Sequence, residues 1–280
     1  MDDTSYSTVG FGDRDVEAAL DAIAEAGFPQ AEIQGKGAHV SEPLTGKALS
    51  EFRTRLDARG LTARTMHAPS GHTVLGATDE EWRQQEVALL KRYLTFGGEL
   101  GITDMVVHPI PNPTVVPNSD DPAVQGLIGD SVRHSLDDLL PTAERAGIRF
   151  NLENLPYDCD YPYRTMQELR PLVDGYPEDR VGLIIDTGHV GILRNDPAAE
   201  IRAAGHRLRG THIHDVVGQA GDGDHHAPTQ GWLDWDAMLR AFAEVSYPGP
   251  WTFEVKKGVN DETPEELARI TREVAIQWGL

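Results

Sequence analysis

The chain has 280 residues, enough for two domains or for one α/β barrel, and its 39% hydrophobic and 25% charged composition, with 28 Gly and 18 Pro, excludes disorder, collagen-like repeats and coiled coil. A formal charge of −20 gives a field that repels polyanions and argues against a nucleic-acid partner. The lone cysteine, Cys159, closes no intramolecular disulfide, MDDTSYSTVG does not read as a signal peptide, and no apolar run approaches the ~18 residues that span a bilayer, so a cytoplasmic chain without a membrane partner is expected.

In chain order, short apolar runs of β type alternate with longer stretches of helical period. Strands are predicted at residues 6–11, 31–34, 62–67, 105–108, 149–154, 181–186, 208–214 and 251–255. Helices are predicted between and after them, at 15–26, 44–59, 80–100, 124–146, 165–173, 197–204, 235–244 and 264–278. Eight such units predict an α/β fold, a (β/α)8 TIM barrel, and with no linker or repeat the whole of 1–280 is expected to form a single domain. Gly27, Gly60, Gly101 and Gly147 stand where a left-handed residue closes a helix, which predicts short turns into the next strands. The segments 109–122, 155–163 and 216–231 are long and rich in Pro, Gly and Asp. They predict a lid over the face where the strands end, the face that holds barrel active sites.

The ionisable residues fall on that same face. From the third onward nearly every predicted strand ends in His, Asp or Glu: MHAP (His67), VVHP (His108), NLEN (Glu153), IIDTGH (Asp186 and His189), THIHD (His212 and His214) and FEVK (Glu254). Inward-facing charge costs several kcal/mol unless it is paired or bound to a metal, so apolar strands do not end this way repeatedly for packing alone. Any single one of these residues reads equally as a helix cap or a backbone hydrogen-bond partner. Two kinds of hard-to-borderline ligand converging without thiolates suit a divalent ion, Mn, Mg, Co or Zn, rather than a structural zinc knuckle. Strand alternation puts His212 with His214, Asn151 with Glu153, and Glu254 with Lys256. Lys256 reads either as a proton donor or oxyanion clamp, or as a salt-bridged structural lysine.

MHAP, VVHP, LENLP, IDTGH, HIHD, DHHAPTQGWLDW and FEV, in this order over nearly the whole chain, resemble the xylose isomerase-like barrel superfamily of sugar-phosphate isomerases and epimerases. That group also includes endonucleases of the endonuclease IV type. The resemblance implies one divalent ion held by Glu153, Asp186, His212 and Glu254, with His212 preferred to His214 because HIHD keeps a His-x-x-Asp spacing. It implies a substrate or further-metal role for His189. It also places His67, His108, His189 and His225 at positions resembling the additional zinc ligands of the endonuclease branch. The chain departs from its relatives at two points: Cys159 stands where ketose 3-epimerases carry a glutamate six residues after the first ligand, and Gly223 where the endonuclease branch has an Asp.

The expected activity is therefore a metal-dependent isomerase or epimerase acting on a small sugar or polyol. Glu153 and Glu254 would exchange a proton next to a carbonyl through a metal-stabilised enediolate, and His189 would orient a substrate oxygen. Three alternatives stay open: a lyase or dehydratase on a keto-polyol, an endonuclease IV-like zinc phosphodiesterase, and a barrel that binds sugar without turning it over. The loop 218–226 reads as a backbone cradle for a substrate phosphate or as a flexible lid. Pairing into a homo-oligomer is expected from the barrel type.

Overall fold

Hydrogen bonding between strands runs in parallel from one end of the sheet to the other, in the order Leu208–His212, Val181–Asp186, Arg149–Glu153, Asp104–Val107, Thr65–His67, Gln30–Gln34, Thr4–Ser7 and Trp251–Phe253. The computed structural model describes residues 3–69, 74–218 and 225–280. The elements are β1 (Thr4–Ser7), α1 (Val16–Ala26), β2 (Gln30–Gln34), α2 (Gly46–Ala58), β3 (Thr65–His67), α3 (Glu80–Leu100), β4 (Asp104–Val107), α4 (Pro122–Ala146), β5 (Arg149–Glu153), α5 (Met166–Val173), β6 (Val181–Asp186), α6 (Thr187–Ile192), α7 (Pro197–Ala204), β7 (Leu208–His212), α8 (Trp235–Glu244), β8 (Trp251–Phe253) and α9 (Pro264–Gln277). The two sheet ends meet where Ile213 pairs with Phe253: the Ile213 amide donates to Thr252 O at 2.8 Å and the Glu254 amide to Ile213 O at 3.2 Å. The predicted (β/α)8 barrel is thus the fold.

The helices begin and end as their sequences dictate. Asp15, Asp79, Asp121, Asp196 and Asp234 each accept an amide hydrogen bond at a helix start, and Thr165 and Thr263 form capping boxes with Glu168 and Glu266. Part of the acidity is therefore helix capping. Gly27, Gly101 and Gly147 close α1, α3 and α4 in the left-handed region, at φ of 88°, 101° and 71°.

Several boundaries differ from expectation: the strand expected at 62–67 is only Thr65–His67, and the one expected at 208–214 ends at His212, before His214. The first strand is Thr4–Ser7, and Thr8–Phe11 tightens into a 3-10 turn that carries the Thr8 hydroxyl to the Gln34 amide, 3.0 Å away. A short extra helix, α6, follows β6 at once, because Asp186 both ends the strand and caps the helix. The last strand stops at Phe253, so Glu254 sits on the loop just beyond it. Of the predicted loop 216–231, residues 219–224, including Gly223, lie outside the described residues.

Register sets the height of each side chain in the barrel. Asp186 pairs with His212 across β6 and β7, past an irregularity at Leu183/Ile184, and Glu153 pairs with Ile184. His67, Glu153, Asp186 and His212 are the last residues of their strands, while His108 and Glu254 follow theirs directly. All stand at the same, C-terminal end of the parallel barrel, and Thr65 and Asn151, two residues before His67 and Glu153, share their inward face below them. Among the described residues no helix is long and apolar enough to cross a membrane.

Candidate metal centre

His212 is the hub. It is fully buried, and its Nδ1 lies 3.0 Å from Glu254 Oε2, 3.1 Å from Glu153 Oε1 and 3.9 Å from Asp186 Oδ2. Of the four residues singled out from the sequence as one ligand set, three carboxylates thus converge on Nδ1 of the fourth, with Glu153, Asp186 and His212 forming one close group of ligand atoms and Glu254 joining His212 in another. Carboxylates and an imidazole from four successive strand ends are donor types that suit a divalent ion.

Each carboxylate divides its two oxygens between a fixed partner and this focus. Asp186 Oδ1 accepts the His189 amide hydrogen bond at 2.7 Å, which caps α6, whereas the buried Oδ2 has no hydrogen-bond partner. An orphaned anionic oxygen in a dry site is costly, and a bound cation removes the cost. Glu254 turns Oε1 to Lys256 Nζ at 2.8 Å and His225 Nε2 at 3.2 Å, leaving Oε2 for the focus. Glu153 turns Oε2 to His67 and His108, each with its Nε2 at 3.3 Å.

These contacts shift the titration of the site in opposite directions. Burial works against the Glu254 charge, but Lys256 and His212 outweigh it and hold the carboxyl well below its usual range. Glu153 is likewise held well below, with His212, His108 and His67 overcoming its burial. His212 is held well above the usual imidazole value against burial, by Glu32, Glu254 and Glu153. Asp186 goes the other way, pushed by burial up to about 6 against the pull of His189. The cavity thus carries more anionic than cationic charge, which again fits a divalent ion.

His189 Nδ1 lies 2.9 Å from the Asn154 carbonyl, so this nitrogen carries the hydrogen and Nε2 keeps the lone pair. Burial lowers its pKa. His67 likewise directs Nδ1 to Ala68 O, at 2.6 Å. Besides Glu153, Asp186 and His212, three further close groups of ligand atoms occur among the described residues: His67, His108 and Glu153; Asp186, His189, His214 and His225; and Glu32, His212 and Glu254. All the histidines expected as additional ligands therefore lie against the primary set.

Sequence reasoning missed two residues. Glu32, in the middle of β2, is wholly buried with its Oε1 at 3.0 Å from His212 Nε2. A charged residue inside a barrel strand, in AEIQ, was the signal that could have found it. His214, set aside in favour of His212, places Nε2 2.8 Å from Asp186 Oδ1 and accepts the His225 amide on Nδ1 at 2.8 Å. The last acid of HIHD, Asp215, does not reach the focus. It accepts from the Val216, Thr229 and Leu233 amides and from Trp235 Nε1, and so ties the following loop to the barrel.

A family model described as xylose isomerase-like TIM barrel matches residues 20–275. Among relatives, the D-psicose 3-epimerase of Ruminiclostridium cellulolyticum is 25% identical over 248 residues, covering 86% of this chain and 78% of that protein. The inosose dehydratase of Lacticaseibacillus casei is 24% identical over 279 residues, covering 90% and 86%. A crystal structure of the IOLI protein with a binding zinc atom shares the fold, with a TM-score of 0.81 at 19% identity over 98% of this chain and 97% of that one.

Proposed function

Because the chain belongs to the xylose isomerase-like TIM barrel family, we propose that it is a divalent-metal-dependent isomerase or epimerase of a small ketose or related carbonyl sugar. The observation that carries this reading is the convergence of Glu153, Glu254 and Asp186 on His212 Nδ1. Those four residues would hold the ion. When bound it supplies Lewis-acid polarisation of vicinal substrate oxygens, which acidifies the adjacent C–H.

The chain's own groups supply the proton transfers. Glu153 and Glu254 are both held in the ionised form, so either can accept the proton next to the carbonyl and, as the acid so formed, return it to the neighbouring carbon. Inversion at one carbon requires the other carboxylate to have taken a proton from solvent before it delivers it to the opposite face. Lys256 and His225 both hold Glu254 Oε1, which fixes that carboxylate for the transfer. His189, its Nδ1 engaged by Asn154 O, offers Nε2 to orient a substrate oxygen.

A second reading, dehydration of a keto-polyol, is favoured by the similarity to inosose dehydratase and begins with the same proton abstraction. One experiment separates the two. Protein stripped with chelator and reloaded with Mn, Mg, Co or Zn is incubated with a panel of ketoses and keto-polyols in deuterated water and followed by proton NMR. Metal-dependent exchange of the α-proton with retention of the hydroxyls supports isomerisation. Loss of water supports the lyase, and metal and sugar binding without any exchange leaves a binding barrel.

A further inference from the structure

Glu32 comes from β2, across the barrel from Asp186 on β6 and separated by β1 alone from β8, which Glu254 follows. Gln34 pairs with His67, so Glu32 enters the barrel two residues deeper than the rim that carries the other acids. It meets His212 on the other edge of the ring: Nε2 faces Glu32 Oε1 at 3.0 Å, whereas Nδ1 faces Glu254 and Glu153 at 3.0 and 3.1 Å. The two nitrogens of an imidazole point away from each other, so Glu32 faces the edge of the ring opposite Glu153, although Glu32, His212 and Glu254 also form a close group of ligand atoms.

We propose that Glu32 is a positioning residue that locks His212 in the Nε2–H form and so aims its Nδ1 lone pair at Glu153, Asp186 and Glu254. The inference rests on the metal-centre reading above. A neutral imidazole has one lone pair, and the hydrogen bond made by one nitrogen decides which nitrogen is left to ligate. Where Nδ1 gives its lone pair to an ion, the remaining ring hydrogen is on Nε2, and the Glu32 Oε1 at 3.0 Å is placed to accept it. The contact is dry on both sides, with Glu32 and His212 each 0% exposed. Glu32 Oε2 has no hydrogen-bond partner, which leaves His212 as the side chain this acid serves. Burying a carboxylate for one imidazole hydrogen bond is costly as architecture, and is accounted for if the bond sets the ligand's tautomer and basicity.

The test compares wild-type protein with Glu32→Gln, nearly isosteric but uncharged, in the intact chain. Mn²⁺ and Zn²⁺ affinities of chelator-treated protein are measured by calorimetry, and the absorption spectrum of the Co²⁺ form and the melting temperature of the metal-free form are recorded alongside. The expected result is metal binding weakened by about 10- to 100-fold, with a changed Co²⁺ spectrum and a metal-free form that still melts cooperatively. Affinity and Co²⁺ spectrum equal to wild type overturn the proposal, whatever happens to the melting temperature, because Glu32 is then merely structural. If the variant does not fold, long-range proton–nitrogen correlation on zinc-loaded wild-type protein decides: an Nε2–H His212 supports the assignment and an Nδ1–H ring overturns it. Wild-type protein that takes up none of these ions fails the metal-centre reading itself, an outcome distinct from normal loading in both proteins.

Discussion

His214 Nε2 lies 2.8 Å from Asp186 Oδ1, the oxygen that also caps α6 through the His189 amide, so one ring and one helix turn hold the same carboxylate. The His225 amide donates to His214 Nδ1 at 2.8 Å, which leaves the ring hydrogen on Nε2, the nitrogen packed against Asp186 Oδ1 without the geometry of a hydrogen bond. Asp186 Oδ2 is thereby aimed at the metal focus. The ring fits only because residue 188 is glycine: a Cβ at Gly188 would fall inside van der Waals contact with His214 Cε1 and Nδ1.

Gly188→Ala is therefore expected to displace His214 and loosen Asp186. Overpacking of this kind costs about 1–3 kcal/mol in global stability. Metal affinity should fall by more than that loss explains, since Asp186 loses its orienting partner. Denaturant unfolding and calorimetric metal titration on the same preparation check both parts, and an unchanged metal affinity would falsify the orienting role.

Asp215 gathers three amides and the Trp235 indole, and a Cβ at Gly231 would overlap its carboxylate. Asp215→Ala leaves those buried donors without their acceptor, at about 1–3 kcal/mol each where water cannot reach them. A loss of at least about 3 kcal/mol is expected on that basis. Trp235 emission should shift to the red as its surroundings open to water. A variant with wild-type stability and emission would show that the loop is held by other contacts.

The parts of this molecule legible in the sequence are those with a local signal. Asp15 and Gly27 bracket α1 as a cap and a left-handed stop, and the helix runs between them. Glu153, Asp186 and His212 end apolar strands, where a charged residue stands out, and their convergence follows from barrel closure. Glu32 was not legible as a site residue because its role depends on register. Only the pairing of Gln34 with His67 and the closure through Ile213 and Phe253 bring it under a ring 180 residues away. Asp215 shows the converse: it belongs to a motif whose histidine joins the metal focus, yet its geometry is that of a loop anchor.

A pH effect independent of the metal focus is expected at the start of α3. Glu80 binds Arg83, which also reaches Asp138 on α4, so the carboxylate supports the contact between the two helices. Hydrogen bonds from Arg83 and Gln84 lower the Glu80 pKa from 4.5 to about 2. Its folded-state pKa lies below its unfolded value, so its contribution is fully present above about 4.5 and is lost as pH falls towards about 2. Glu80→Gln should accordingly be less stable than wild type at neutral pH and indistinguishable from it near pH 2. A stability gap that persists at that pH would show that the side chain acts by something other than charge.

Metal removal should be visible in stability as well as in turnover. Glu153, Asp186 and Glu254 are all buried around one imidazole, and a cation that binds only the folded chain stabilises it by mass action. At a free-ion concentration a hundred times the dissociation constant, the gain is about 2.7 kcal/mol. Chelator-treated protein should melt at a lower temperature, and added Mn²⁺ or Zn²⁺ should restore it in a concentration-dependent way. A melting temperature insensitive to both chelator and metal would count against an ion at this focus.

Glu254 is where ligation and proton transfer can be pulled apart. Its Oε2 faces the focus while Lys256 and His225 hold Oε1, so Glu254→Gln keeps the shape and an oxygen for the ion but loses the base. Loss of a general base typically lowers turnover by 10²–10⁴-fold. We expect kcat to fall by about that factor, with KM nearly unchanged and metal still bound at close to one equivalent. Deuterium exchange at the substrate α-carbon should fall in parallel. Retained turnover would remove Glu254 from the acid–base pair, and loss of metal together with activity would make it a ligand alone. That second outcome would leave Glu153, the other carboxylate at His212 Nδ1, as the base to be tested by the same substitution.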